Sequence, residues 1–216
     1  MTTVGVPTEI KSDEHRVSLT PEGVRVLVSH GHRVLIQTGA GDGSSIADAD
    51  YAAQGAVLVP DMARVFGEAD ILLKVKEPQP SEVALLRREA VLFTYLHLAP
   101  DPALTEGILA SGATAIAYET ITDSRGRLPL LAPMSEVAGK LAAQAGASIL
   151  EKPKGGRGTL LAGVAGVAPS RVMIIGGGVV GRSAVCQATR SMFVTARFTS
   201  AMPAASATRD SIKSAD

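Results

Sequence analysis

Between Val4 and Ala117 short apolar runs recur, each parted from the next by a stretch with helical signals, and that alternation admits few folds. The runs cover 4–6, 34–36, 57–59, 71–76, 91–96 and 113–117. The first helix is marked by Thr20 as N-cap, Pro21 at the first helical position and Glu22 in the first turn, and it ends at His30 before Gly31. A short helix is expected over 48–54, one from about Asp61, one capped by Ser81 through Leu86, and one over 102–109. Strands that alternate with helices predict an α/β fold with a parallel sheet and right-handed crossovers. Scarce aromatics and abundant Ala, Gly and Val suit helices packed closely on such a sheet.

Near Gly126 the pattern changes. Pro129 and Pro133 punctuate the chain, and Ser135-Glu136 is read as the start of a long helix with apolar Val137, Leu141, Ala145 and Ile149 at every fourth position. Small residues between them, Ala138, Gly139, Ala142 and Gly146, let backbones or a neighbouring helix approach closely, and the helix either links two domains or covers the first sheet. After the flexible 154–158 segment comes an apolar run, Val172 to Ile175, which breaks into glycines spaced as GxGxxG: Gly176, Gly178 and Gly181. A strand, a tight turn and a helix N-terminus in that order offer backbone N–H groups to a pyrophosphate, although such a turn also occurs with no ligand role. The expected organisation is a parallel-sheet N-terminal substrate domain over 1–129, a linking helix and Gly-rich connection over 130–168, and a partial Rossmann-type dinucleotide-binding domain over 169–216.

The 21 Lys and Arg balance the 21 Asp and Glu, so charge suggests neither nucleic acid nor an anionic membrane surface as a partner. No apolar run is of membrane-spanning length, and the start of the chain lacks the features of a signal peptide. One cysteine, Cys186, excludes an intrachain disulfide. These features fit a cytoplasmic location, and no metal-ligand spacing is seen.

Ligands of open α/β sheets bind beyond the carboxyl ends of the strands. Arg16 follows the first strand, Lys76 ends the 71–76 run and His97 follows 91–96, so one crevice gathers a guanidinium, an ammonium and an imidazole. That set suits a small keto or amino acid. The alternative is two solvated loop charges and a hydrogen-bonded strand-end histidine.

Several segments closely resemble alanine dehydrogenase: Val4-Gly5-Val6-Pro7-Thr8-Glu9 with Glu14-His15-Arg16-Val17, then Leu73-Lys74-Val75-Lys76-Glu77-Pro78, then Phe93-Thr94-Tyr95-Leu96-His97-Leu98. Leu130-Leu131-Ala132-Pro133, continuing into Met134-Ser135-Glu136-Val137-Ala138-Gly139, extends the likeness, which is read as far as about Gly181. The alpha subunit of nicotinamide nucleotide transhydrogenase is similar in its first motif and less so elsewhere. The resemblance implies NAD-dependent, reversible oxidative deamination of L-alanine to pyruvate and ammonium by a homo-oligomer, a hexamer in many members. It implies that Arg16 and Lys76 bind the substrate carboxylate and carbonyl, that His97 is the acid/base group, and that Tyr95 and Met134 line the pocket. Ser135 would touch the cofactor, with Gly176, Gly178 and Gly181 as the pyrophosphate turn. Read from residues alone, Tyr95 and Met134 are ordinary core fillers and Ser135 a helix N-cap.

The family also requires an acid on a second strand about 20 residues beyond the turn. Near that point stands Arg197-Phe198-Thr199-Ser200-Ala201, and Asp210 lies too far on. An internal deletion followed by truncation, or a frameshifted or divergent tail, is expected, and the Ala, Ser and Thr content after Met192 suits disorder under either account. A catalytic aspartate that the family carries downstream has no counterpart here. Low activity, a non-catalytic pyruvate-binding or oligomerising remnant, or a transhydrogenase-like nucleotide-binding role are the outcomes to separate.

Overall fold

The computed structural model describes residues 1–191 and the pair Phe198–Thr199. The chain divides into two compact units, Met1–Leu128 and the part from Pro129 onward. Among the described residues no helix is long and apolar enough to cross a membrane.

In chain order the first unit runs β1 (Thr3–Val6), α1 (Pro21–Ser29), β2 (Arg33–Gln37), α2 (Asp48–Ala53), β3 (Val57–Val59), α3 (Met62–Glu68) and β4 (Ile71–Leu73). It continues with α4 (Pro80–Val83), β5 (Val91–Thr94), α5 (Pro102–Ser111) and β6 (Thr114–Ala117). The six strands form one sheet in the order β3-β2-β1-β4-β5-β6, with every pair parallel. Both faces are covered, as a parallel sheet requires. Along β2, Val34 and Ile36 join Val24 of α1 and Tyr51 of α2 in one apolar cluster, while Leu35 joins Val65 and Phe66 of α3 and Leu104 of α5 in the other. The strand order reverses between β1 and β4, so the loops that leave these two strands diverge and open a crevice at their carboxyl ends.

Local chemistry sets the helix starts. The Thr20 hydroxyl accepts from Gly23 N at 3.3 Å, Asp61 from Arg64 N at 2.8 Å and Asp101 from Leu104 N at 2.9 Å. The expected Ser81 cap is displaced: α4 begins at Pro80, and the Glu82 carboxylate takes the Gln79 amide at 2.7 Å.

Two strands end earlier than the apolar runs suggest. The strand from the 71–76 run ends at Leu73: Lys74 still donates to the Phe93 carbonyl at 3.2 Å, but the Val75 amide donates to the Glu9 carboxylate, at 2.6 Å, instead of to a strand. The strand from the 91–96 run ends at Thr94, and the Leu96 and His97 amides go to Glu119, at 3.0 and 2.8 Å. Acidic side chains thus replace ladder partners where the loops begin.

The second unit contains α6 (Ala132–Ile149), β7 (Ile174–Ile175), α7 (Val179–Ser191) and β8 (Phe198–Thr199), with β7 and β8 parallel. The long helix starts at Ala132, so Ser135 lies inside its first turns and is not its cap. Its apolar stripe does not make the packing contact either: Val137, Leu141 and Ile149 are 48%, 54% and 65% exposed. The contact with α7 runs through buried Gly139, where an added Cβ would lie 2.3 Å from the Val180 carbonyl oxygen. Backbones this close admit only a hydrogen as side chain. The expectations about a rearranged or disordered tail and about Asp210 fall outside the described residues.

Candidate active site

The carboxyl edge of the first unit's sheet is built around buried charge. Lys74 is fully buried and sits between two carboxylates, 3.0 Å from Glu9 and 2.7 Å from Glu82. A charge is stable in such a place only when paired. Glu9 arrives from the loop after β1, Lys74 from the end of β4 and Glu82 from α4, so the cluster ties three segments together at the crevice. Burial pushes the Glu82 carboxyl above its ordinary pKa of 4.5, against the pull of Lys74.

Lys76 follows two residues later, partly exposed, with its backbone held on both sides. Its carbonyl accepts from the buried Thr94 hydroxyl at 2.8 Å, and its amide faces the Glu9 carboxylate at 3.4 Å. Arg16 lies in the loop after β1. Its Nε donates to Glu14 Oε1 at 2.8 Å and its Nη2 to Oε2 at 2.5 Å, and it is 47% exposed while Glu14 is 5% exposed. The hydrogen bond from Arg16 holds the Glu14 carboxyl below its ordinary pKa, opposed by burial and assisted by Lys76. Glu14 therefore feels both cations. The phenol of Tyr95 is pushed up by burial, pulled down by Arg16 and pushed up by Glu119, and so belongs to the same neighbourhood.

His97 stands at the rim. Its backbone is left-handed, with φ of 47°, a conformation that strains most side chains but is enriched in histidine. Glu119, in a 3-10 turn after β6, stabilises it by accepting from two successive amides. The His97 ring stacks on Tyr95 at 6.1 Å between centroids, and Tyr95 meets Tyr118 edge-on at 5.0 Å. Burial also raises the Tyr118 phenol pKa, so it stays protonated and neutral.

In the second unit the three glycines have three different surroundings. Gly176 has φ of 102°, which makes the tight turn; Gly178 has nothing within 4 Å of a virtual Cβ; at Gly181 that atom would lie 1.9 Å from the Gly176 carbonyl oxygen. Turn, open approach and close packing are the demands of a pyrophosphate-binding turn. A cleft of about 550 Å³ is lined by Ser135 and Ala142 of α6, the three glycines, and Ala184 of α7. The N-terminus of α7 stands directly after the open Gly178 at this cleft. Met134 is exposed in the first turn of α6 and is not among the residues lining this cleft.

The site residues expected from sequence thus fall into two groups. Arg16, Lys76, Tyr95 and His97 share one edge of the first unit, and Ser135 shares a cleft with the glycine turn in the second. Sequence reasoning assigned no role to Glu9, Glu14, Lys74, Glu82 or Glu119. A lysine inside an otherwise apolar parallel run was a readable signal, because a buried lysine demands a carboxylate.

Comparison with known proteins follows the same division. A family model described as alanine dehydrogenase/PNT, N-terminal domain, matches residues 5–138, and one described as alanine dehydrogenase/PNT, C-terminal domain, matches residues 142–211, past the Gly181 limit read from the motifs. An alanine dehydrogenase from Halomonas elongata is 59% identical over 181 residues, 84% of this chain and 49% of that protein. A solved L-alanine dehydrogenase superposes with a TM-score of 0.81 at 50% identity, covering 87% of this chain and 52% of the other. A transhydrogenase from Sinorhizobium meliloti gives 0.77 at 26% identity, covering 92% and 57%. The chain spans about half the length of the curated relatives it matches.

Proposed function

This chain belongs to the alanine dehydrogenase/PNT family, and from that membership we propose that it supplies the substrate edge and the opening of the cofactor site for NAD-dependent interconversion of L-alanine with pyruvate and ammonium. The observation that carries the proposal is the placement of Arg16 in the loop after β1 and of Lys76 just beyond β4, the two strands between which the sheet order reverses, with the Lys76 backbone held by Thr94 and Glu9. A small carboxylate with an adjacent carbonyl matches two cations of this kind. Arg16 takes the carboxylate, Lys76 polarises the carbonyl oxygen, and the exposed imidazole of His97 carries the proton. Tyr95 and Met134 border the substrate, while Ser135 and the turn at Gly176, Gly178 and Gly181 hold the dinucleotide. NAD, when bound, supplies the hydride acceptor. Assembly as a homo-oligomer and a cytoplasmic location complete the reading.

Calorimetric titration with pyruvate tests the substrate edge. Wild-type binding that weakens sharply, yet stays measurable, in Arg16→Ala and in Lys76→Ala supports it, and binding unchanged by both substitutions refutes it. Alanine-dependent NAD reduction then separates turnover from binding alone. The alanine dehydrogenase reading is preferred to a transhydrogenase-like one because the solved alanine dehydrogenase is about twice as identical at similar overlap.

A further inference from the structure

We propose that Glu9 is the positioning residue for Lys76, and that the buried Glu9–Lys74–Glu82 cluster exists to hold the main chain from which Lys76 reaches the substrate. This inference rests on the substrate reading above and deepens it. Glu9 Oε1 accepts the Val75 amide at 2.6 Å, while Oε2 meets Lys74 Nζ at 3.0 Å and the Lys76 amide at 3.4 Å. One carboxylate therefore touches three consecutive residues, Lys74, Val75 and Lys76. Its side chain is 3% exposed, so water does not compete for these contacts.

A carboxylate placed only to neutralise Lys74 needs no amide contacts, because Glu82 already lies 2.7 Å from the same ammonium. The second oxygen is used on the backbone instead. The other side of the segment is fixed independently by Thr94 on the Lys76 carbonyl. Lys76 thus leaves a peptide pinned at both ends, while its own side chain stays partly exposed at the crevice. A catalytic group so held keeps its place without spending substrate binding energy on ordering.

The test is a double-mutant cycle on the full chain, read by pyruvate calorimetry, with amide hydrogen exchange as a second readout. Glu9→Gln keeps an acceptor but removes the charge, and it should weaken pyruvate binding on the order of tenfold, by misplacing Lys76. The same change in a Lys76→Met background, where Arg16 still offers its guanidinium, should cost little, because the group being positioned is gone. Equal losses in both backgrounds overturn the proposal and leave Glu9 a purely structural residue. In Glu9→Ala the Val75 and Lys76 amides should lose exchange protection while Leu35 and Ile36 of β2 keep theirs; unchanged protection at Val75 also overturns it. If the wild-type chain does not bind pyruvate, the substrate reading fails, and loss of Val75 protection still decides whether the clamp exists.

Discussion

A methyl group on the α-carbon of Gly181 would lie 1.9 Å from the carbonyl oxygen of Gly176, so the turn folds back directly onto the helix that follows it. Gly178, between them, faces open space. Two glycines of one motif thus have separable jobs. Gly181→Ala should destabilise the second unit by about 1–3 kcal/mol through overpacking. Gly178→Ala should leave the melt nearly unchanged and weaken NADH binding. Calorimetric melts paired with an NADH fluorescence titration check this, and equal melting losses in both variants would contradict it.

Two glycines of α6 provide a second contrast. Gly139 meets α7 through its backbone, whereas Gly146 has nothing within 4 Å. Alanine at an open helical position stabilises by roughly 0.5–1 kcal/mol. Gly146→Ala should therefore raise stability, and Gly139→Ala should lower it by forcing the helices apart. Denaturant titration of the two variants reads the opposite signs.

The turn at His97 depends on Glu119. Glu119→Ala leaves the Leu96 and His97 amides without their carboxylate, at a cost of about 1–3 kcal/mol if they stay dry. His97→Gly should relieve the left-handed strain and hold or raise stability, while removing the proposed proton carrier. A stable His97→Gly variant with full alanine-dependent turnover would refute the assignment of His97.

The two buried acids respond oppositely to pH. Burial raises the folded-state pKa of Glu82, so its contribution is fully present below about 4.5 and is lost as pH rises through the raised value. Arg16 lowers that of Glu14, so its contribution is present above about 4.5 and is lost as pH falls through the lowered value. Glu82→Gln should flatten the loss of stability on the alkaline side of 4.5, and Glu14→Gln the loss on the acid side. Stability measured by urea unfolding across the acid range checks both slopes. Lys74→Met, which strands two buried carboxylates, should cost about 3–5 kcal/mol at neutral pH.

Most of the scaffold was readable because its causes are local. Thr20 and Asp61 cap helices three residues away, and the alternation of Val34, Leu35 and Ile36 points to both faces of one sheet. Arg16, Lys76 and His97 were grouped by the rule that loops after parallel strands share a crevice, and they lie at that edge of the sheet. What escaped was the support beneath them. Glu9 and Lys74 are 65 positions apart, and no short window of sequence relates them. On α6 the small residues between the apolar positions pointed to close backbone approach, and Gly139 makes that approach while the Val137, Leu141 and Ile149 stripe stays exposed.

The strand order also has a consequence in time. β1 occupies the middle of the sheet yet is made first, and its second neighbour, β4, follows only after three helices and two strands. Contacts this distant in sequence form slowly, because a long loop must close before they give any return. Until β4 docks, the Glu9 carboxylate is a solvated group on an unfinished edge, and the Lys76 segment has no fixed shape. Pulse-labelling during refolding should therefore show the Val75 amide gaining protection together with the β1–β4 ladder and after the β1–β2 ladder. The crevice takes form in the step that joins the two halves of the sheet.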